Sequence, residues 1–345
     1  MTDDMLRHAV RRLAFGHHLT ADESGAAFDV VMSGGATAAQ VAALLMGLRV
    51  KGETASEVAG AARALRRAMI TLDADAPDML VDTCGTGGGA VPTFNISTAA
   101  AIVAAACGAR IAKHGNRSFT SKSGSADLLE ALGVQIDLTP ARMASVLRDV
   151  GIVFMFAPLM HPAMRHVGPV RRELSVPTVM NMIGPLANPA TAGRQVIGVA
   201  DRGRLDLIAG ALHELGTMHA LVVHGEPGMD EISPIGVTDV REIRGRAPIA
   251  SWTIDPAAHG YHDLPVDDLA GGEPAENAAI VRDVLRGAGT QAAQAAVTLN
   301  AAAALYVHRG GGDYAAMVHE ARAALHDGSA VRVLDSLVAA SQHGS

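Results

Sequence analysis

Over the first 72 residues the apolar positions recur at helical spacing, as in Val41, Leu44, Leu45 and Leu48. Three segments there open on a threonine with a Glu or Gln three residues later: Thr20 with Glu23, Thr37 with Gln40, and Thr54 with Glu57. Each is a capping box, in which the two side chains satisfy each other's otherwise unpaired backbone amides. No strand pattern interrupts them, so this stretch predicts a small all-helical unit. From Met79 the texture changes. Short apolar runs at 80–84, 110–112, 152–156, 196–200 and 220–224 alternate with helical stretches at 98–107, 126–132, 141–150 and 205–215. Thr139-Pro140 suits a helix N-cap followed by proline in the first turn. Such alternation predicts a mainly parallel sheet covered by helices.

The segment 164–189, with Pro169, Pro177, Pro185 and Pro189, breaks the rhythm and is read as returning to the helical unit. The C-terminal stretches 292–305, 314–325 and 330–340 are helical again. The expected fold is therefore α/β, a small all-helical domain plus a large α/β domain with a mainly parallel central sheet. The expected division is 1–72, joined by 165–190, against 73–164 with 191–345.

Composition narrows the class. Hydrophobic residues are 49% and charged residues 18% of the 345, which suits a core-forming globular chain. A net charge of -7 argues against a nucleic-acid footprint. Cys84 and Cys107 lie in apolar surroundings without metal-ligand spacing, so buried free thiols in a reducing compartment are expected. The start, Met1-Thr2-Asp3-Asp4-Met5, is acidic, and the longest apolar run, 99–109, is too short to span a bilayer. The expected location is the cytoplasm.

Candidate chemistry gathers between Val81 and Ser125. Gly85-Thr86-Gly87-Gly88-Gly89 leaves a strand and leads towards a helix, and glycine lets backbone amides approach a ligand without a Cβ in the way. It has neither dinucleotide spacing nor a Gly-Lys-Ser/Thr ending, and by itself it describes a bare turn equally well. Thr93, Asn95, Ser97 and Thr98 follow at the next helix start, where unpaired amides and the dipole favour an anion. Simple capping by Ser97 or Thr98 is the alternative, and it leaves Thr93 and Asn95 unexplained. Lys113-His114-Gly115-Asn116-Arg117 ends the second strand at the same sheet edge, where open α/β sheets bind ligands. Lys113 and Arg117 supply charge there. Ser118, Thr120, Ser121, Ser123 and Ser125 form a hydroxyl-rich loop, for which a solvated turn is the competing reading.

Asp230-Glu231, past the run 220–224, suits Mg²⁺, which takes few protein oxygens together with substrate phosphates; an acidic surface turn is the alternative. His161, His166 and His224 lack metal-cluster spacing, and no nucleophile triad is readable. Both absences suit a transfer that works by positioning and charge stabilisation.

In several long motifs the chain resembles the anthranilate phosphoribosyltransferase family. They are Asp82-Thr83-Cys84-Gly85-Thr86-Gly87-Gly88, Thr93-Phe94-Asn95-Ile96-Ser97-Thr98, Lys113-His114-Gly115-Asn116-Arg117 and Ser123-Gly124-Ser125-Ala126-Asp127. Further along come His161-Pro162-Ala163-Met164-Arg165, Val170-Arg171-Arg172, Asn181, Gly184-Pro185-Leu186-Ala187-Asn188-Pro189 and Asp230-Glu231. The resemblance implies a large domain like that of pyrimidine nucleoside phosphorylases and a homodimer formed through the helical domains. It also implies transfer of the phosphoribosyl group of phosphoribosyl pyrophosphate to anthranilate, with Mg²⁺. It places Gly85, Gly88, Gly89, Thr93, Asn95, Ile96, Ser97, Thr98, Lys113, His114, Gly115, Asn116, Arg117, Ser118, Phe119, Thr120, Ser121 and Ser125 around phosphoribosyl pyrophosphate. Gly85, Asn116 and Arg171 match anthranilate contacts, and Ser97, Asp230 and Glu231 match metal positions.

Two departures stand out. Gly89 stands where the family motif usually has Asp, which puts one metal or pyrophosphate contact in doubt, and Thr120 stands where Ser is common. Two other activities fit the same fold: a pyrimidine nucleoside phosphorylase-like enzyme, and a non-catalytic paralogue that binds nucleic acid. Arg171 and His161-Pro162 speak against the first, and the acidic charge and Asp230-Glu231 against the second.

Overall fold

The computed structural model describes residues 2–118 and 122–342. The N-terminal unit is α1 (Thr2–Ala14), α2 (Ala21–Met32), α3 (Ala38–Lys51) and α4 (Ala55–Ala68). The three threonines head α2, α3 and α4, and each capping box closes in both directions. In the third, the Thr54 amide donates to Glu57 Oε2 (2.8 Å) and the Glu57 amide to Thr54 Oγ1 (3.3 Å). Glu57 does more than cap. It is fully buried, accepts the Leu19 amide on Oε1 (2.8 Å), and pairs with the buried Lys51 ammonium (2.8 Å). One carboxylate therefore ties the α1–α2 turn, the end of α3 and the start of α4 together.

The sheet has seven strands: β1 (Val81–Gly85), β2 (Ile111–Gly115), β3 (Ile152–Phe156), β4 (Arg194–Gly198), β5 (His219–Gly225), β6 (Thr238–Arg244) and β7 (Ala250–Ile254), in the order β3-β2-β1-β4-β5-β6-β7. The first five are parallel, and β6 and β7 extend one edge antiparallel. The remaining helices are α5 (Ile96–Ala106), α6 (Ser125–Ala131), α7 (Pro140–Val150), α8 (Ala157–Met160), α9 (Gly168–Leu174), α10 (Met180–Ile183), α11 (Leu205–Glu214), α12 (Pro274–Leu285), α13 (Gln291–Arg309), α14 (Tyr314–His326) and α15 (Ser329–Gln342). The alternation read from the sequence is thus a mainly parallel sheet with helical cover.

Two strands differ from expectation. β2 runs on to Gly115 because its last residues, Lys113 and His114, are buried polar groups that an apolar pattern cannot register. β4 starts two residues earlier than the apolar run, at Arg194. β6, β7 and α12 were not among the expected elements; α12 does carry a short apolar run, Ala278-Ala279-Ile280-Val281, while β6 and β7 have none that is unbroken. In β6 the only apolar residues, Val240 and Ile243, fall on opposite faces of the sheet among charged neighbours, so no alternating apolar face marks the strand.

Alanine sets the packing on one face. The alanines of α5 and α13 are almost all buried, and side chains this small let the two helices lie close together over β1 and β4. With α6, α7, α12, α14 and α15 they form one core. The other face of the sheet, through Ile197, Val199, Ala220, Val222 and Ile243, joins α11 and the N-terminal helices in a second core. Val167, Val170, Val179, Met182, Ile183 and Leu186 of the proline-rich segment lie in that second core. Cys84 and Cys107 are free and only partly buried; Cys107 Sγ donates to Glu320 O (3.8 Å). No described helix is long and apolar enough to cross a membrane.

Glu57→Ala is expected to cost about 3–5 kcal/mol, because it strands a buried ammonium as well as two amides. Urea unfolding at neutral pH measures it. A loss below about 1 kcal/mol would place the pair with exposed ion pairs, against its burial.

Candidate active site

The parallel strands β1, β2, β4 and β5 end at one edge, and the chain beyond β5 lies across it. A Cβ on Gly198, at the end of β4, would stand 1.6 Å from the Asp230 carbonyl oxygen, and one on Gly85, at the end of β1, 2.3 Å from Asp230 Oδ2. Only glycine at both positions lets Asp230 sit so low on the sheet. Asp230 Oδ2 accepts the Gly87 amide (2.7 Å), and Glu231 Oε1 accepts the Ser97 amide (3.1 Å) in the first turn of α5. Two amides expected to face an external anion thus hold the protein's own carboxylates. Gly89 is close by, where a Cβ would lie 3.3 Å from Asp230 Oδ1.

Burial pushes both carboxyls above their ordinary range, and Asp230 beside it raises Glu231 further. Lys113 offsets part of this. It lies within β2 and does not emerge from the strand end as expected; it is 3% exposed, with its ammonium on Thr83 O (2.6 Å) and Ser97 Oγ at 3.4 Å. Burial lowers its pKa, while Asp82, Cys84 and Glu231 oppose that shift. Lys113 is therefore a charge beneath the site, shared among groups of the protein.

Asn95 precedes α5 and makes no side-chain cap. Its amide instead donates to Ser123 O (3.1 Å) and accepts from Ser123 Oγ (3.3 Å) and from Asn277 Nδ2 (2.9 Å). Asn277, on α12, also accepts the Gly272 amide (2.7 Å). The sequence reading missed it, because a lone asparagine in a helix carries no signal. Capping by Ser97 or Thr98 is not what the structure shows: the helix begins at Ile96, a core residue, and Thr98 is buried. Thr93 is half-buried ahead of it.

The hydroxyl-rich loop is pinned at both ends. The Asn116 carbonyl accepts Ser125 Oγ (3.3 Å) and the Ala126 amide (3.3 Å), and the Ser118 amide donates to Asp127 Oδ2 (3.3 Å). Gly115 is where this loop presses in, with Ser125 Oγ 2.1 Å from a Cβ built there. Arg117, expected to supply charge at this edge, pairs with Asp127 (2.8 Å) and Glu130 (2.5 Å). Phe119, Thr120 and Ser121 lie outside the described residues.

His114 and His161 come together from β2 and the turn after α8, with ring centroids 4.9 Å apart. Burial drives His114 down to about 3 and His161 to about 4, so both rings are neutral. Asp82, which accepts the His114 amide (3.1 Å), is pushed up to about 6 by burial. Arg171 sits on α9, which packs on α3. It is half-buried, burial lowers its pKa, and among the described residues it has no acidic partner; Glu173, the expected competitor, does not pair with it.

Among the described residues no three or more His, Cys, Asp or Glu side chains are grouped to hold a metal. Asp230, Glu231 and Ser97 nevertheless offer hard oxygens, and two buried adjacent carboxylates of raised pKa gain from a cation. That donor set fits Mg²⁺ shared with a ligand's phosphates.

The chain matches the glycosyl transferase family a/b domain over residues 77–331 and that family's helical bundle domain over 7–69. An anthranilate phosphoribosyltransferase from Roseiflexus sp. (strain RS-1) is 47% identical over 339 residues, 98% of this chain and 99% of that one. One from Rubrobacter xylanophilus is 46% identical, covering 98% of each. The crystal structure of the Thermus thermophilus anthranilate phosphoribosyltransferase superposes with a TM-score of 0.90 at 40% identity, over 97% of this chain and 99% of that one. The Saccharomyces cerevisiae enzyme in complex with PRPP and Mg superposes at 0.88 with 28% identity, covering 97% of each. All four bear the name anthranilate phosphoribosyltransferase, which supports that reading over the phosphorylase and nucleic-acid-binding alternatives.

The buried histidine pair predicts that neither His114 nor His161 titrates as pH falls from 8 to 5.5. Ring resonances followed by NMR check this. A midpoint above about 6 for either ring, near the free value, would mean that solvent reaches it freely.

Proposed function

The chain belongs to the anthranilate phosphoribosyltransferases, and from that premise we propose how its sheet edge serves their reaction. It transfers the phosphoribosyl group of 5-phospho-α-D-ribose 1-diphosphate to the amine of anthranilate, giving N-(5-phosphoribosyl)anthranilate and pyrophosphate in tryptophan biosynthesis.

The observation that carries the assignment of the site is the meeting of Asp230 and Glu231 with the Gly87 and Ser97 amides at the strand ends. In this reading phosphoribosyl pyrophosphate lies along the residues from Gly85 to Thr98 and from Lys113 to Ser125 that the family motifs mark. Asp230, Glu231 and Ser97 hold Mg²⁺, which when bound neutralises charge on the pyrophosphate. Asn277 and Ser123 keep the Asn95 amide oriented, and Lys113 supports the site from below. Arg171 takes the anthranilate carboxylate, with Gly85 and Asn116 alongside. A half-buried guanidinium with no acidic partner among the described residues suits a carboxylate through two parallel hydrogen bonds.

The amine nitrogen bonds to C1 of the ribose as the bond from C1 to the pyrophosphate oxygen breaks. Pyrophosphate leaves with the electron pair, and the amine sheds a proton. Charge builds up on the leaving group and on an oxocarbenium-like ring, so the protein needs no nucleophile of its own.

We further propose a homodimer formed through the helical unit and a cytoplasmic location. Phe15 and Val50, 80% and 81% exposed on that unit, support such a contact. We propose as well the division at 1–72 with 165–190 against the rest, supported by Val167, Val170, Val179 and Leu186 sharing a core with the N-terminal helices.

Adding phosphoribosyl pyrophosphate and Mg²⁺ should quench anthranilate fluorescence in the presence of the protein. Asp230→Ala/Glu231→Ala should abolish that turnover while leaving the fold intact; near-normal turnover would refute the carboxylate assignment. Arg171→Ala should raise the KM for anthranilate far more than that for phosphoribosyl pyrophosphate, by about 1.5–3 kcal/mol. Equal effects on both substrates would put Arg171 outside the acceptor pocket.

A further inference from the structure

The carboxylate pair lies on a stretch with neither helix nor ladder to hold it. Beyond β5 the chain makes a single bridge, Gly225 with Met229, and Asp230 to Ser233 then run without regular pairing. Ile232, directly after Glu231, is fully buried. A buried backbone amide and carbonyl need partners, and here no strand supplies them.

One side chain supplies both. Asn300, in the middle of α13 and 4% exposed, accepts the Ile232 amide on Oδ1 (3.0 Å) and donates from Nδ2 to the Ile232 carbonyl (2.9 Å). Its second N–H goes to Ala296 O in its own helix (2.9 Å), so both N–H groups of the amide are committed. That bond to its own helix fixes which way the amide faces. A primary amide is the one side chain of this size that can offer a donor and an acceptor side by side, as a neighbouring strand would. No charge is brought near the carboxylates in doing so.

The segment is gripped from the other side as well. A Cβ on Gly225 would stand 2.5 Å from the Glu231 carbonyl oxygen, and the Ser233 amide donates to Thr238 Oγ1 (3.0 Å). Asp230 and Glu231 therefore sit between the glycine-lined strand ends and a clamp on the next residue. Their side chains reach opposite parts of the edge, the glycine loop and the start of α5. The angle between them depends on the intervening backbone.

We infer that Asn300 is a positioning residue for the reaction: by binding both backbone groups of Ile232 it sets the Asp230–Glu231 carboxylates in the arrangement that receives Mg²⁺ with pyrophosphate. The inference rests on the site reading above and extends it to a residue on the far helical layer.

Calorimetry of phosphoribosyl pyrophosphate binding, with and without Mg²⁺, tests this alongside steady-state kinetics and thermal melting. Asn300→Ala should weaken the Mg²⁺-dependent binding at least ten-fold and raise the half-maximal Mg²⁺ for turnover at least five-fold. The KM for anthranilate should stay within two-fold. Leu299→Ala, beside it on α13, should lower Tm without moving the Mg²⁺ dependence. If Asn300→Ala does not fold, Asn300→Ser leaves a smaller cavity and is held to the same thresholds. An Asn300 variant that only melts earlier, with unchanged Mg²⁺ dependence, overturns the inference.

Asp230→Ala/Glu231→Ala separates the two ideas. If that variant keeps the parent's Mg²⁺ dependence of binding, the reading of the site fails and the inference falls with it. If it loses that dependence while the Asn300 variant retains it, the site stands and Asn300 has no positioning role.

Discussion

The architecture turns on how closely the Asp230 backbone approaches the strand ends. Its carbonyl oxygen lies where a Cβ on Gly198 would be, and its carboxylate where one on Gly85 would be. Without those two glycines the segment beyond β5 would stand off the sheet by the depth of a side chain. Asp230 and Glu231 would then miss the amides of Gly87 and Ser97. Everything assigned to the site depends on that contact, because it brings β1, α5 and the β5–β6 connection to one point.

The electrostatics follow from the same crowding. Two buried carboxylates, a buried ammonium and the start of α5 share a small volume. The helix start and Lys113 favour the charged carboxylates, while burial and their proximity to each other oppose it. The result is a locally frustrated group whose balance a divalent cation improves. Elsewhere a buried charge is met by a partner of opposite sign, as Lys51 meets Glu57. Arg117 illustrates the same economy, being neutralised by Asp127 and Glu130.

The helical unit is not an appendage. Its core runs without a break into α11 and one face of the sheet, and the segment carrying Arg171 is built into that shared core through Val167 and Val170. A residue on α9 is thereby held in a fixed relation to β4 and β5, though it lies on the helical side. The other face, with its alanine-lined α5 and α13, brings Asn300 and Asn277 within reach of site backbone and side chains. The two layers thus contribute different groups to one edge.

The capping boxes, the alternation of runs and helices, the glycine loop and the Asp230-Glu231 pair were all legible along the chain. Each is a local pattern: a cap spans four residues, and a buried parallel strand is a short apolar run. Legibility failed where burial was polar or pairing was distant. β2 outlasts its apolar run because Lys113 and His114 are buried by their tertiary partners, and β6 hides behind alternating charges. The pairing of Arg117 was not legible because its partners sit ten and thirteen residues on, across a loop. Asn277 reaches Asn95 across 182 positions and Asn300 reaches Ile232 across 68, distances over which sequence pattern carries no information. The sequence alone determined the type of most elements and the kinds of chemistry available, because local propensity and short motifs encode them. Only the tertiary structure decided which amides and which cation meet the two carboxylates and which asparagines hold the segments around them, because those meetings are made by packing distant helices and loops onto one sheet edge.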